Sequence, residues 1–305
     1  MRLRVLGSSA GGGFPQWNCN CHNCLGWRRG SVNAKARTQS SVAISSNGED
    51  WLLINASPDI LQQLRENPPL QQARQVRDSG IAAALVIDAQ IDHTTGLLML
   101  RERGQPLPLY ATPEVLEDLR DGFGLTRVLS HYAGFEMRPI DLAAPALDIP
   151  FLQGVSVTPV PLTSQPPPYS PYRGRPRAGD TIGLMMHDHA SDQRLFYAPG
   201  LGLMEPGVQA AMQAADVIMV DGTFWTEDEM VANGLSKKLA AEMGHLPQSG
   251  PGGMIEHLDA LPAGKRKILI HINNTNPILR EDSAERALLS AHGIEVAQDG
   301  MEVIL

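Results

Sequence analysis

Apolar residues fall along the chain in short runs, some alternating with polar positions and some continuous, each broken by glycine, proline or a polar turn. Alternation or β-branched content over 4–8 residues predicts strands at 2–7 (RLRVLG), 41–46, 51–56 (WLLINA), 83–88 (AALVID), 108–111 and 155–162. A second set is predicted at 181–187, 194–198, 216–222 (DVIMVDG), 267–272 (KILIHI) and 294–304. Between them, apolar residues three and four apart, often behind a cap residue or a proline, predict helices at 59–66, 94–103, 113–123, 204–215 and 283–293. Strands alternating with helices over the whole length imply a layered α/β (α+β) fold. No internal repeat or low-complexity linker interrupts it, so residues 1–305 are expected to form one domain.

One segment resists this pattern. SQPPPYSPYRGRPRAGD, residues 164–180, is too rich in proline for regular structure. A long loop in a compact domain is either functional or disordered, and Arg173, Arg175 and Arg177 beside two tyrosines suit an anionic, partly aromatic ligand.

Composition narrows the function. Hydrophobic residues make up 43% and charged ones 19%, ordinary globular usage. The longest apolar run, IAAALVI at 81–87, is far short of the ~20 residues a membrane helix needs. No secretory signal is visible, which makes the cytoplasm the expected compartment. A net charge of −8 argues against nucleic-acid binding.

The three cysteines, Cys19, Cys21 and Cys24, all lie within CNCHNC, the N-terminal loop at 19–24. Neighbours this close make no useful disulfide framework. The C-x-C-x-x-C spacing instead brings three thiolates to one tetrahedral ion, the sulfur-rich closed site Zn²⁺ prefers when its role is structural. A fourth ligand must be found elsewhere, because His22 is squeezed between ligands. Such a zinc-pinned loop can also build an interface, so a homodimer is the expected assembly.

Two other stretches carry chemistry. DAQIDHTTG places Asp88, Gln90, Asp92 and His93 where a strand gives way to a helix, and HINNTNPI places His271 at the end of another strand. Open α/β sheets bind ligands at such carboxyl ends. The order LGSSAGGGFPQ, CNCHNC, WLLINASPD, DAQIDH and HINN resembles the metallo-β-lactamase superfamily along essentially the whole chain, which implies an αββα sandwich of two mixed sheets. The N-terminus is similar to a cysteine-bearing branch that includes the cyclic phosphodiesterase of phosphonate breakdown. With MVDGTFW, GHLPQSG and HINNTNPIL added, the pattern resembles the branch that acts in pyrroloquinoline quinone biosynthesis.

The departures from the superfamily pattern are informative. In H-x-H-x-D-H, Asp88 and Gln90 replace the first two histidines; only Thr163 or Ser164 stands where a mid-chain histidine is usual; FYAPGLG lacks the bridging aspartate. What survives is Asp92, His93 and His271. Two imidazoles and one carboxylate with open positions are associated with non-haem Fe(II) and O₂ chemistry, whereas hydrolytic members clamp substrate between two metals. Fe²⁺ is therefore the expected ion there, with Zn²⁺ or Mn²⁺ able to occupy the same residues. In the phosphodiesterase branch the fourth ligand of the cysteine site is a histidine; that position here is Asn274, and Asn274, His22 or water are the candidates. Asp221 and His245 stand where superfamily members place catalytic or orienting groups.

The resemblance implies a hydroxylase that uses O₂ on the tyrosine ring of a small peptide-derived diacid, a cross-linked glutamate–tyrosine product, with Arg173, Arg175 or Arg177 meeting its carboxylates. Two rivals remain at this level: a metallohydrolase of the phosphodiesterase type, and a carrier for the quinone cofactor or its precursor.

Overall fold

The computed structural model describes residues 1–305, and its thirteen strands form two mixed sheets. The strands are β1 (Arg2–Gly7), β2 (Ser41–Ser45), β3 (Trp51–Ile54), β4 (Ile81–Leu85), β5 (Leu107–Ala111), β6 (Phe135–Pro139), β7 (Val155–Pro161), β8 (Ile182–Asp188), β9 (Gln193–Ala198), β10 (Val217–Asp221), β11 (Arg266–Ile270), β12 (Ile294–Val296) and β13 (Glu302–Ile304). The first sheet runs β13-β1-β2-β3-β4-β5-β6 and the second β12-β11-β10-β9-β8-β7. Each is antiparallel on one side and parallel on the other, the parallel sets being β3 to β6 and β9 to β12.

Both faces of each sheet are buried, because successive side chains point to opposite sides. Val42, Ile44, Leu52, Ile54 and Leu85 of the first sheet meet Leu184, Met186, Leu195, Met219 and Ile270 of the second in an inner core. Their neighbours Ala43, Trp51, Leu53 and Ala84 pack outward under one helical layer, and Phe196, Ile218, Val220 and Leu269 under the other. This is the αββα sandwich. It explains why WLLI and VIMV read as unbroken apolar runs rather than as alternation.

The chain departs from its pattern in four places. Residues 294–304 form two strands in different sheets, since Asp299 turns inward to accept from the Ser8 and Thr38 backbone amides at 2.9 and 2.7 Å, and Gly300 takes φ 83°. Strand β6 was unsignalled because FEMRP is largely exposed on a sheet edge. A helix at His22–Arg29 begins inside the cysteine cluster, ended by Gly30 in the left-handed region. The helix predicted at 94–103 starts earlier, at Ile91–Thr94, and continues only as a 3₁₀ turn through Leu100.

The proline-rich segment has no helix or strand, yet it is fastened. Ser170 Oγ donates to Asp118 at 2.6 Å, Tyr172 donates to Glu117 at 3.0 Å, and the Tyr169 hydroxyl donates to the Ala89 carbonyl beside β4. No helix is long and apolar enough to cross a membrane.

Candidate metal centres

The carboxyl ends of β4, β10 and β11 open onto one cavity of about 330 Å³. After β4 the chain turns into the short helix Ile91–Thr94, which carries Asp92 and His93; after β11 comes His271. These residues, 92, 93 and 271, place one ligand atom each within 4.8 Å of one another. Asp92 Oδ2 lies 3.7 Å from His93 Nε2 and 3.5 Å from His271 Nε2. Those separations are long for hydrogen bonds, but donors about 2.1 Å from a shared tetrahedral ion stand about 3.4 Å apart.

Each imidazole is held by its other nitrogen. His93 Nδ1 faces both oxygens of Asp88, at 2.8 and 2.9 Å, so Nδ1 carries the proton and donates. Its Nε2 is buried and has no hydrogen-bond partner. Asp88, which replaces a superfamily histidine, thus orients His93. His271 is fixed in a comparable way. The Thr223 hydroxyl donates its one proton to the His271 carbonyl at 2.9 Å and so accepts from His271 Nδ1 at 2.8 Å, leaving the lone pair on Nε2. His271 also adopts φ 63°, a left-handed conformation that costs on the order of 1 kcal/mol for a residue with a Cβ. Backbone bonds on either side hold it: Gly222 N donates to Ile270 at 2.6 Å, and Ile272 N donates to Ser8 at 3.0 Å.

Charge favours a cation here. Burial by itself would lower the pKa of His93, but the carboxylates of Asp88 and Asp92 outweigh it and raise the value to about 9. Burial would raise that of Asp92; the His93 charge and the His271 ring nitrogen that faces it instead hold it far below the usual carboxylate range. Gly11 closes on the same carboxylate, and a Cβ there would stand 3.1 Å from Asp92 Oδ2.

Asp221, His245 and His271 form a second group of suitable donors. Much of their hydrogen-bonding capacity is already taken up by the protein. Asp221 Oδ2 accepts from His245 Nδ1 at 2.6 Å and from the Leu201 amide at 2.9 Å, while Oδ1 accepts from the Thr223 amide at 2.8 Å. Both oxygens of Asp221 and the Nδ1 atoms of the two histidines are thus engaged, and only the Nε2 atoms remain free. Asp221 is fully buried, and His245, stacked on His271 at 5.4 Å, lines the cavity. Burial would lower the pKa of His245, but Asp221 raises it.

The cysteine sulfurs of residues 19, 21 and 24 gather at the start of helix His22–Arg29, mutually within 4.8 Å. Asn274 faces all three through Nδ2, at 3.1, 3.6 and 3.4 Å from Cys19, Cys21 and Cys24. An amide nitrogen is no zinc ligand; turned over, the same side chain presents its oxygen to the sulfurs. His22 points away, its Nε2 lying 3.5 Å from Arg280 Nη1.

The three arginines of the proline-rich segment separate. Arg173 lines the cavity. Arg175 does not; it lies exposed with its guanidinium 5.7 Å from the Tyr172 ring. Arg177 is committed elsewhere, paired with Glu117 at 2.6 Å and Asp180 at 2.9 Å and stacked 3.6 Å from Tyr172. The structure therefore corrects the expectation for Arg175 and Arg177. Sequence reasoning also passed over Asp88 and Thr223 as orienting groups and Lys238 as a cavity residue. Thr223 was visible only as the residue two places beyond Asp221 in MVDGTFW. The other usual ligand positions are reassigned: Gln90 donates to the Gln165 carbonyl at 3.3 Å, and Thr163 donates to Glu205 at 2.9 Å.

A profile described as the β-lactamase superfamily domain matches residues 50–272. The chain is similar to coenzyme PQQ synthesis protein B of Azoarcus sp. (strain BH72), 62% identical over 305 residues and covering 100% of both chains. It is 54% identical to the protein of the same name from Methylococcus capsulatus, over 305 residues and again 100% of both. Among solved structures, Zn²⁺-bound PqqB from Methylobacterium extorquens superposes with a TM-score of 0.90 at 38% identity, covering 100% of each chain. A diphosphatase of the PhnP family shares the fold at a TM-score of 0.68 and 19% identity, covering 100% of this chain and 97% of that one.

Proposed function

Because this chain belongs to the coenzyme PQQ synthesis protein B family within the β-lactamase superfamily, we propose that it acts in PQQ synthesis as a metal-dependent enzyme that hydroxylates a tyrosine-derived acid with O₂. The observation that carries this reading is the buried, unpartnered Nε2 of His93, set with His271 Nε2 and Asp92 Oδ2 at separations that suit one shared ion. The residues fit the group: the donors are a carboxylate and two imidazoles, His93 giving up its Nε2 proton to a bound ion, and the positions that hold a second ion in hydrolytic relatives are here bonded to protein. Bound there, Fe²⁺ supplies the activation of O₂ that no side chain can provide.

The rest is the work of the chain. Asp88 and Thr223 fix the tautomers of His93 and His271, so both lone pairs point inward without reorganisation. His245, protonated on Nδ1 and paired with Asp221, presents Nε2 to the cavity and there takes or returns the phenol proton. Arg173 meets a substrate carboxylate. One oxygen atom enters the ring C–H bond and the other leaves as water, with two electrons and two protons drawn from an external reductant of the ascorbate or thiol class.

The test is oxygen uptake by protein loaded anaerobically with Fe²⁺, given ascorbate and a tyrosine-derived dicarboxylate, beside a phosphodiester control. The expected result is substrate-dependent O₂ consumption with a product 16 Da heavier. Turnover of the phosphodiester alone would establish a hydrolase; binding of the acid with no chemistry under any ion would establish a carrier.

A further inference from the structure

Two exposed cations that line the rim of the cavity, Arg173 and Lys238, lack an acidic partner. Arg173 makes no ion pair and is anchored through the Pro166 carbonyl, unlike Arg177, which is saturated by Glu117 and Asp180. Lys238 lines the same cavity from a separate segment, the turn that follows helix Glu229–Ala232. Its backbone is clamped: the Lys238 amide donates to Ser236 Oγ at 3.0 Å and the Leu239 amide to Glu242 Oε2 at 2.8 Å. Nearby carboxylates are occupied by backbone rather than by the ammonium, since Glu227 Oε1 accepts from the Ala241 amide at 3.1 Å. Neither acid forms a salt bridge with Lys238, so this exposed lysine at the cavity rim has no protein counter-charge.

Two positively charged side chains that line one pocket from separate segments make it attractive to an anion. Asp88 and Asp92 cannot serve, because both face the histidines. We propose that Lys238 is a specificity-determining residue that holds one substrate carboxylate while Arg173 holds another, so that the cavity selects dicarboxylates over monocarboxylates. This rests on the proposed function for the class of substrate, but it concerns binding, which can be measured without turnover.

The probes are 3-(2-carboxyethyl)tyrosine, a tyrosine with a second carboxylate on its ring substituent, and its side-chain monoamide, titrated by calorimetry into Zn²⁺-loaded protein. Lys238→Gln is expected to weaken dicarboxylate binding roughly 10–100-fold, the range for losing a charge-assisted hydrogen bond, and to leave the monoamide within about twofold. Lys238→Arg should recover most of the loss. Equal weakening of both ligands, no weakening of either, or failure of the unsubstituted protein to bind the dicarboxylate would each overturn the proposal. Dicarboxylate binding that depends on Lys238 in a protein that consumes no oxygen would retain the anchor and remove the hydroxylase reading.

Discussion

The cysteine cluster and the histidine–aspartate cluster share a short strap, residues 271–274, and are built by opposite means. Three sulfurs come from six consecutive positions, and the loop and first turn of one helix bring them together with only Asn274 as company. Asp92, His93 and His271 come from the carboxyl ends of strands in different sheets, and each ring is oriented by a partner of its own, Asp88 or Thr223. Local ligands are positioned by covalent connectivity. Distant ligands need the sandwich to place them and a hydrogen bond to aim them. The first cluster should therefore answer to loss of a ligand, and the second also to loss of groups that touch no ion.

The largest effect expected separates the clusters outright. His271→Asn, chosen because asparagine tolerates the left-handed backbone, should empty the pocket and reduce oxygen consumption by roughly a thousandfold or more. It should leave the cysteine-bound ion, so metal analysis falls by one ion per chain. Cys24→Ser should do the reverse, losing the cysteine ion and thermal stability while pocket metal survives. Either substitution stripping both ions would erase the distinction.

A smaller effect concerns the strap. Glu229 is buried beside it: the Thr275 hydroxyl donates to one oxygen and the Trp225 amide to the other at 2.6 Å. Burial pushes its carboxyl from the ordinary 4.5 up to about 7. The unfolded chain releases this proton first, so the folded state binds more protons across that interval. Stability should fall as pH rises from 4.5 to about 7, by up to about 3 kcal/mol, and level off above. Urea unfolding at pH 5 and pH 8 measures it, and Glu229→Gln should flatten the difference. An unchanged slope in that variant would assign the pH dependence to other groups.

The finest test addresses the aiming bonds. Thr223→Val should weaken pocket ion affinity roughly 10–100-fold, and Asp88→Asn, which keeps an acceptor, by about tenfold, with cysteine-bound metal unaffected in both. Competition with a chelator reads both values. Affinity unchanged in both variants would mean that the sandwich alone aims the rings.

What could be read from the sequence follows the same division. Cys19, Cys21 and Cys24 declared themselves by spacing, and the two-sheet fold by its apolar runs at 51–54 and 217–220 together with the motif order. Strand ends pointed to the neighbourhoods of Asp92, His93 and His271, and the resemblance to the superfamily motif singled these three out as ligands. Asp88 was counted as a lost ligand because a sequence cannot show that its carboxylate faces His93 Nδ1. Arg175 and Arg177 looked equivalent to Arg173, since nothing local tells that Glu117, 60 residues away, takes Arg177. Lys238 carried no motif at all. The division of 294–304 between sheets depended on Asp299 finding Ser8 and Thr38, partners far away in the chain.

The bare backbone of Gly11 has a consequence for how the protein can change. Ser8 to Ala10 are stitched to Ile272, and the same stretch runs on through Phe14 to Cys19. A residue inserted between positions 13 and 19, outside the Asp92–His93–His271 cluster, would tug on the berth in which the Asp92 carboxylate rests. Length in that connector should be less tolerant of variation than its composition, and a library that varies the two separately would tell them apart.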